Sequence, residues 1–278
     1  MRKGLCLVLF IVITTALCAQ ATLINMIRIN GGTFTMGSPE SERTHRDFID
    51  EGPQRQVTVS AFYMGKYQVT QAEYQAVMGV NPSNFKGDNL PVDQASWYDA
   101  LVFCNKLSMR EGLTPAYSIS GSTDPAAWGT VPTRNTAAWN QVQIVAGSAG
   151  YRLPTEAQWE YACRAGTTTA YNTGANISDN TGWYSAQGKS TSHPVGLKPA
   201  NAWGLHDMHG NVWEWCWDWF GPYTRGAQTD PSGASSGEQR VFRGASWRNT
   251  LPYVRSAVRG RGPPTARFTY IGFRVVRP

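Results

Sequence analysis

A chain of 278 residues with 41% hydrophobic and 16% charged residues has enough apolar material for a full core and too little charge for a disordered polyelectrolyte. Its 28 Gly, 16 Pro and 11 Trp indicate a loop-rich, aromatic-rich domain with short elements. The formal charge of +6 is too modest, and too unevenly placed, for a general nucleic-acid binder, so nucleic acid is excluded as the partner.

Met1-Arg2-Lys3 followed by the apolar run Leu5 to Leu17 reads as a secretory signal, too short for a spanning helix. Two exits are open. Ala19-Gln20-Ala21 is an A-x-A cleavage site that makes residues 1–21 the signal peptide. Thr15-Ala16-Leu17-Cys18 is a loose lipobox that would end the signal before Cys18 and leave that cysteine lipidated. Either way the protein is expected to be exported, to the cell surface or periplasm, touching membrane only through a lipid anchor. Residues 22–278 show neither repeat nor linker and are read as one domain.

Met26 to Ile29 and Thr33 to Gly37 read as strands joined by the Gly31-Gly32 turn, and the polar stretch Ser38 to Gln56 as a surface loop. Val57 to Met64 alternates and reads as a single further strand. Three helices carry capping boxes: Thr70-x-x-Glu73 opens Gln71 to Met78, Ser96-x-x-Asp99 opens Trp97 to Arg110, and Thr155-x-x-Gln158 opens Glu156 to Arg164. Gly121 to Ser148 looks like an insertion. At strand period, Trp213, Trp215, Trp217 and Trp219 fall on one face, a pattern of sheet core rather than of a ligand site.

Few residues offer chemistry. Cys104, Cys163 and Cys216 are an odd number for a disulfide framework and are read as buried free thiols. His206 and His209 have i, i+3 spacing but precede a strand, and are read as packing residues rather than metal ligands.

The C-terminal stretch Arg240 to Pro278 is compositionally distinct. It holds nine arginines and no Lys, Asp, Glu, Gln, Met, His or Cys, whereas residues 22–239 carry fourteen basic and nineteen acidic side chains. Charges of +9 and −5 within one fold call for pairing, and Arg243, Arg255, Arg259 and Arg274 are the arginines expected to pair with the acidic body.

The motifs Gly31-Gly32-Thr33-Phe34-Thr35-Met36-Gly37, Gly150 to Ala162, Leu205 to Trp215, Arg243-Gly244-Ala245-Ser246-Trp247 and Gly272-Phe273-Arg274 resemble, in order, those of the formylglycine-generating enzyme, or sulfatase-modifying factor, family. The resemblance runs from about Asn25 to Pro278. It implies an α+β chain with an elaborated C-type lectin fold, loop-rich with few helices and short antiparallel strands. The family's oxidases bind copper through two cysteines after the closing Ser-Trp/Tyr motif, but no cysteine follows Cys216, so no copper and no oxidase activity are expected here. Sulfoxide synthases of the family use an extra helical domain that this chain lacks. In the family's Gly-Asn-x-Trp-Glu motif the asparagine and glutamate help bind a structural Ca²⁺. Asn211 and Glu214 match those positions, against the competing reading that Glu214 pairs with a buried arginine.

The tail also resembles the variable region of exported family members diversified by retroelements, in which the adenines of template codons, often AAY for asparagine, are randomised. Randomising both adenines cannot yield Lys, Glu, Gln, Met or Trp. The first four are absent from residues 240–278, and the one tryptophan, Trp247, lies in the fixed Ser-Trp motif. The resemblance makes Arg248, Thr250, Tyr253, Val258, Gly260, Arg261, Gly262, Thr265, Ala266, Phe268, Thr269 and Tyr270 the candidate ligand contacts. The expected function is therefore non-enzymatic binding of a macromolecule, a protein or surface glycan, with an exported oxidase or maturation factor of the same family as the alternative.

Overall fold

The computed structural model describes residues 22–43, 46–177, 180–187 and 189–278. The export segment and Cys18 lie outside the described residues. In chain order the elements are β1 (Met26–Ile29), β2 (Gly32–Met36), β3 (Arg55–Val59), β4 (Phe62–Gly65), α1 (Gln71–Met78), α2 (Trp97–Arg110), β5 (Tyr117–Ser118), α3 (Ala137–Asn140), β6 (Gln143–Ile144), α4 (Glu156–Arg164), β7 (Trp213–Trp219), β8 (Gln228–Thr229), β9 (Arg240–Arg243), β10 (Arg259–Gly262), β11 (Ile271–Phe273) and β12 (Val276–Arg277).

The three capped helices begin and end where their sequence signals place them. In α1 the Thr70 hydroxyl accepts from the Glu73 N–H while the Glu73 carboxylate accepts from the Thr70 N–H at 2.8 Å, and Gly79 ends the helix at φ +79°. α4 ends at Arg164, with Ala165 already in the left-handed region ahead of Gly166.

Val57 to Met64 is not one strand. β1 pairs antiparallel with β4, and β2 with β3, in separate sheets. Both arms of this long hairpin bend at the same level, and the Asp230 carboxylate holds the bend by accepting from the Ser60 N–H at 2.7 Å and its hydroxyl at 2.6 Å. On the opposite arm the backbone passes so close that a Cβ on Gly31 would sit 2.8 Å from the Val59 carbonyl oxygen. The polar stretch 38–56 is also more than a surface loop: its 3₁₀ helix Arg46–Glu51 contributes buried Phe48 and buried Glu51.

The main sheet has the order β10-β9-β7-β11, with β11 parallel to β7 and the other pairs antiparallel. Its register puts Gly260, Phe242 and Trp215 in one row and Arg259, Arg243, Glu214 and Gly272 in the next, so the two rows face opposite sides. The four tryptophans of β7 follow the period-2 pattern and build core, although a register shift separates Trp215 from Trp219. Trp213 and Trp215 pack edge-on against Phe242, and Trp217 stacks on Tyr117. The insertion folds onto α2 through Trp139 against Tyr98, with ring centres 5.2 Å apart. β12 closes the chain by pairing with β4 on the side opposite β1. A methyl group at the bend has only backbone to meet. Gly31→Ala is therefore expected to destabilise the protein by about 1–3 kcal/mol, seen as a lower urea midpoint; an unchanged midpoint would show that the bend relaxes freely.

Candidate ligand-binding surface

The tail arginines divide by what they touch. All four expected to pair with the body do so. Arg243 bonds Glu160 and also donates to the carbonyls of Ser256, Ala257 and Val258. Arg255 grips Glu51 with two bonds of 2.8 Å and reaches Glu42 at 3.0 Å. Arg259 clamps Glu156 through bonds of 2.6 and 2.8 Å, and Arg274 clamps Glu214 through two of 3.0 Å. Three of the glutamates, Glu156, Glu160 and Glu214, are fully buried against α4 or β7. These are charge-assisted pairs shut away from water, forked at Arg255, Arg259 and Arg274 and single at Arg243.

Burial pushes Glu156 up, but Arg259 and Arg243 outweigh it and leave that carboxyl below its ordinary range. Asp218 fares differently: with no arginine in salt-bridge contact among the described residues, burial and the Glu156 charge push it up to about 7.

Several of the remaining tail side chains reach the surface. Arg248 lies over the Tyr270 ring at 4.5 Å, and Tyr270 stacks on Phe268 with planes 6° apart and centres 5.1 Å apart. These three form one ledge, from the loops after β9 and before β11. Thr250 is exposed in the first of these loops, and Thr269 sits half-buried between the two aromatics. Tyr253 and Arg261 meet a different neighbour, the 3₁₀ helix 46–51: Tyr253 packs edge-on against Phe48, and Arg261 bonds Asp50 at 3.1 Å and covers Phe220 at 4.3 Å. Thr265 is half-buried in the turn after β10.

Three expected contacts are corrected. Val258 is 2% exposed and belongs to the core, its carbonyl taken by Arg243. Ala266 is buried in the same cluster, and Gly262 is buried with Phe242 and Trp215 over it. Gly260 is half-open, but the Phe242 ring occupies the space that a side chain there would need. Sequence reasoning missed Phe48, Asp50, Phe220 and Phe242 because each approaches the tail from elsewhere in the chain or from a neighbouring strand. Asn249, which lies between the expected contacts Arg248 and Thr250, is structural: its carbonyl accepts from the Ser246 N–H and hydroxyl and from the Trp213 indole.

The residues matched to a calcium site do not fit one. Both Glu214 oxygens face the Arg274 guanidinium, and they also accept from the Trp159 indole at 2.7 Å and the Gln68 amide at 3.0 Å. The Asn211 amide is spent on the backbone of His193, accepting at 2.9 Å and donating at 3.0 Å. A cation there would have to displace an arginine, and the arginine pairing is the reading the geometry supports. His206 and His209 hold the carbonyls of Lys198 and Val254 respectively. Burial lowers His209 to about 4. Among the described residues no three His, Cys, Asp or Glu side chains gather as metal ligands. All three cysteines described are free and buried, and desolvation raises each thiol, Cys163 to about 12, which removes the thiolate that nucleophilic or soft-metal chemistry needs.

Removing one partner of a buried pair strands the other charge. Glu160→Gln is expected to cost about 3–5 kcal/mol, against less than about 1 kcal/mol for Arg261→Ala at the exposed Asp50 pair, both read from denaturant midpoints. Asp218 has its folded value raised from ~4 to about 7, so the stability it contributes is complete below ~4 and lost as pH rises through about 7. Asp218→Asn should accordingly gain stability relative to the parent between pH 5 and pH 8. An equal difference at both pH values would contradict this.

A family model described as the sulfatase-modifying factor enzyme 1-like domain matches residues 15–278. The chain is 33% identical to the chaperone protein LppX of Paenibacillus barcinonensis, spanning 100% of this chain and 99% of that protein. It is 29% identical to the formylglycine-generating enzyme of Mus musculus, over 91% of this chain and 74% of that protein. Among solved structures, Treponema denticola variable protein 1 matches with a TM-score of 0.81 at 36% identity, over 91% of this chain and 95% of that one.

Proposed function

This chain belongs to the sulfatase-modifying factor enzyme 1-like family, and on that premise we propose that it is a non-enzymatic, exported binding protein whose C-terminal loops form a diversified ligand surface. One observation carries this reading: within a single tract, the arginines that build the sheet are buried on glutamates, while Arg248 and Phe268 stand exposed and join the half-buried Tyr270 in one ledge. Tyrosine and arginine are the side chains that most often anchor binding surfaces, each joining apolar area to hydrogen-bonding capacity. The likeness to a protein titled a variable protein supports the reading, as does the restricted alphabet of residues 240–278.

Export is supported by the signal-like N-terminus and by a relative whose name, LppX, has the form of a lipoprotein name. The alternative, an exported oxidase or maturation factor, has the named enzyme and chaperone relatives in its favour. Against it stand the lack of cysteine after Cys216 and the inert state of the other thiols.

Two measurements separate these readings. Sequencing the neighbouring DNA should find a near-identical repeat of the 240–278 coding segment, differing mainly at adenines, beside a reverse transcriptase; neither being present would sink the variable-protein reading. Incubation with copper and a cysteine-containing peptide should give no formylglycine and no oxygen uptake, and turnover would restore the enzyme. Structure adds a third expectation. Alanine at Arg248, Thr250 or Phe268 should each change stability by no more than about 0.5 kcal/mol, whereas Val258→Asp should prevent folding; a large loss at Arg248 or Phe268 would place those side chains in the core.

A further inference from the structure

A second concavity lies at the far end of β7 from the Asn249 loop. It is a cleft of about 870 Å³ between the insertion and the loop Ser232–Gly237, within the roughly 300–1,000 Å³ of small-ligand sites. Its floor is Trp217, Trp219 and Arg240, and its walls are hydroxyls and amides, chiefly Ser120, Asn140, Gln141, Gln143, Ser235 and Ser236. Among the described residues no carboxylate lines it, and Arg240 is the one cation that does.

Arg240 also differs from the other buried tail arginines. It is 2% exposed and held between two indoles, 3.7 Å from the Trp97 ring centre and 3.3 Å from that of Trp219. Its hydrogen bond among the described residues is from Nη1 to the Trp217 carbonyl at 2.7 Å, its Nε has no partner, and no carboxylate lies in salt-bridge contact. The nearest anionic influence is Asp218, whose carboxylate instead accepts from the Glu156 N–H on the opposite side of β7. Burial draws the guanidinium down to about 9, the direction expected of a cation enclosed without a counter-ion.

The lining selects its occupant by chemistry. Short hydroxyls and amides match ring hydroxyls one for one, and an unneutralised arginine in a wall without carboxylates favours a negative group. An extended peptide would want an open strand edge or apolar pockets, and a polyphosphate would want several cations. We propose that this cleft binds an acidic oligosaccharide bearing uronic carboxylates, with its hydroxyls on the serine and amide walls and a carboxylate drawn toward Arg240. None of the side chains on the Arg248–Tyr270–Phe268 ledge takes part, so the site stands or falls separately from the variable surface.

Calorimetry of the full mature chain with oligogalacturonate and with maltohexaose tests this. Oligogalacturonate should bind about tenfold or more tightly than the neutral sugar, and its affinity should fall as salt rises. Ser236→Trp, a substitution on an exposed wall, should abolish binding while leaving the melting temperature unchanged. Arg240→Gln, if it folds, should remove the preference for the acidic sugar. The alanine variants of Arg248 and Phe268 should bind as the parent does. Equal binding of both sugars, no binding of oligogalacturonate, or binding that survives Ser236→Trp would overturn the proposal.

Discussion

Three buried arginine–glutamate pairs on one side of the main sheet set the geometry of everything at the C-terminal end. Arg259 with Glu156 and Arg243 with Glu160 bind the last strands to α4, and Arg274 with Glu214 binds the chain's end to β7. Pairs of this kind add little net stability, because removing both ions from water costs about as much as their attraction returns. What they supply is selectivity, since any arrangement that parts them leaves a bare charge in the interior. The register in which Arg259, Arg243 and Glu214 share one row is the arrangement that satisfies them together.

That row explains how a surface can change without the fold changing. The tract's structural information sits in arginines facing α4 and in Val254, Val258, Ile271 and Phe273 facing the core. The loops between these anchors need only span the gaps. Phe242 is the intermediate case: it fills the groove left by Gly260 and Gly262, so a side chain at position 260 would lift an aromatic ring toward the surface as well as adding itself.

Much of this was legible from sequence, for identifiable reasons. Helix ends were readable because capping boxes are local, made by residues three apart. The four scaffold arginines were readable because +9 and −5 in one fold must meet. The family resemblance carried the fold, whose α+β, C-type-lectin character is shared by the solved variable protein. The break between β3 and β4 was not legible, since Asp230 holds Ser60 across 170 residues. The partners of Asn211 and Glu214 were hidden for a related reason: likeness carries residues across but not their partners, and here His193 and Arg274 hold them. Val258 looked like a loop residue because its neighbours are loop-like, and only the carbonyl grip of Arg243 draws it inward.

The placement of β12 has a further consequence. The chain's final strand lies against β4, next to the first strand of the domain, and Val276 is also bridged to Arg152. A change that shifts the reading frame within residues 240–278 forfeits both this seam and the guanidinium that pairs with Glu214. The product would be left with an open sheet edge and an orphaned interior carboxylate. Loop substitutions leave this seam intact and slips in length do not, so the last few residues act as a checksum on the length of the tract before them.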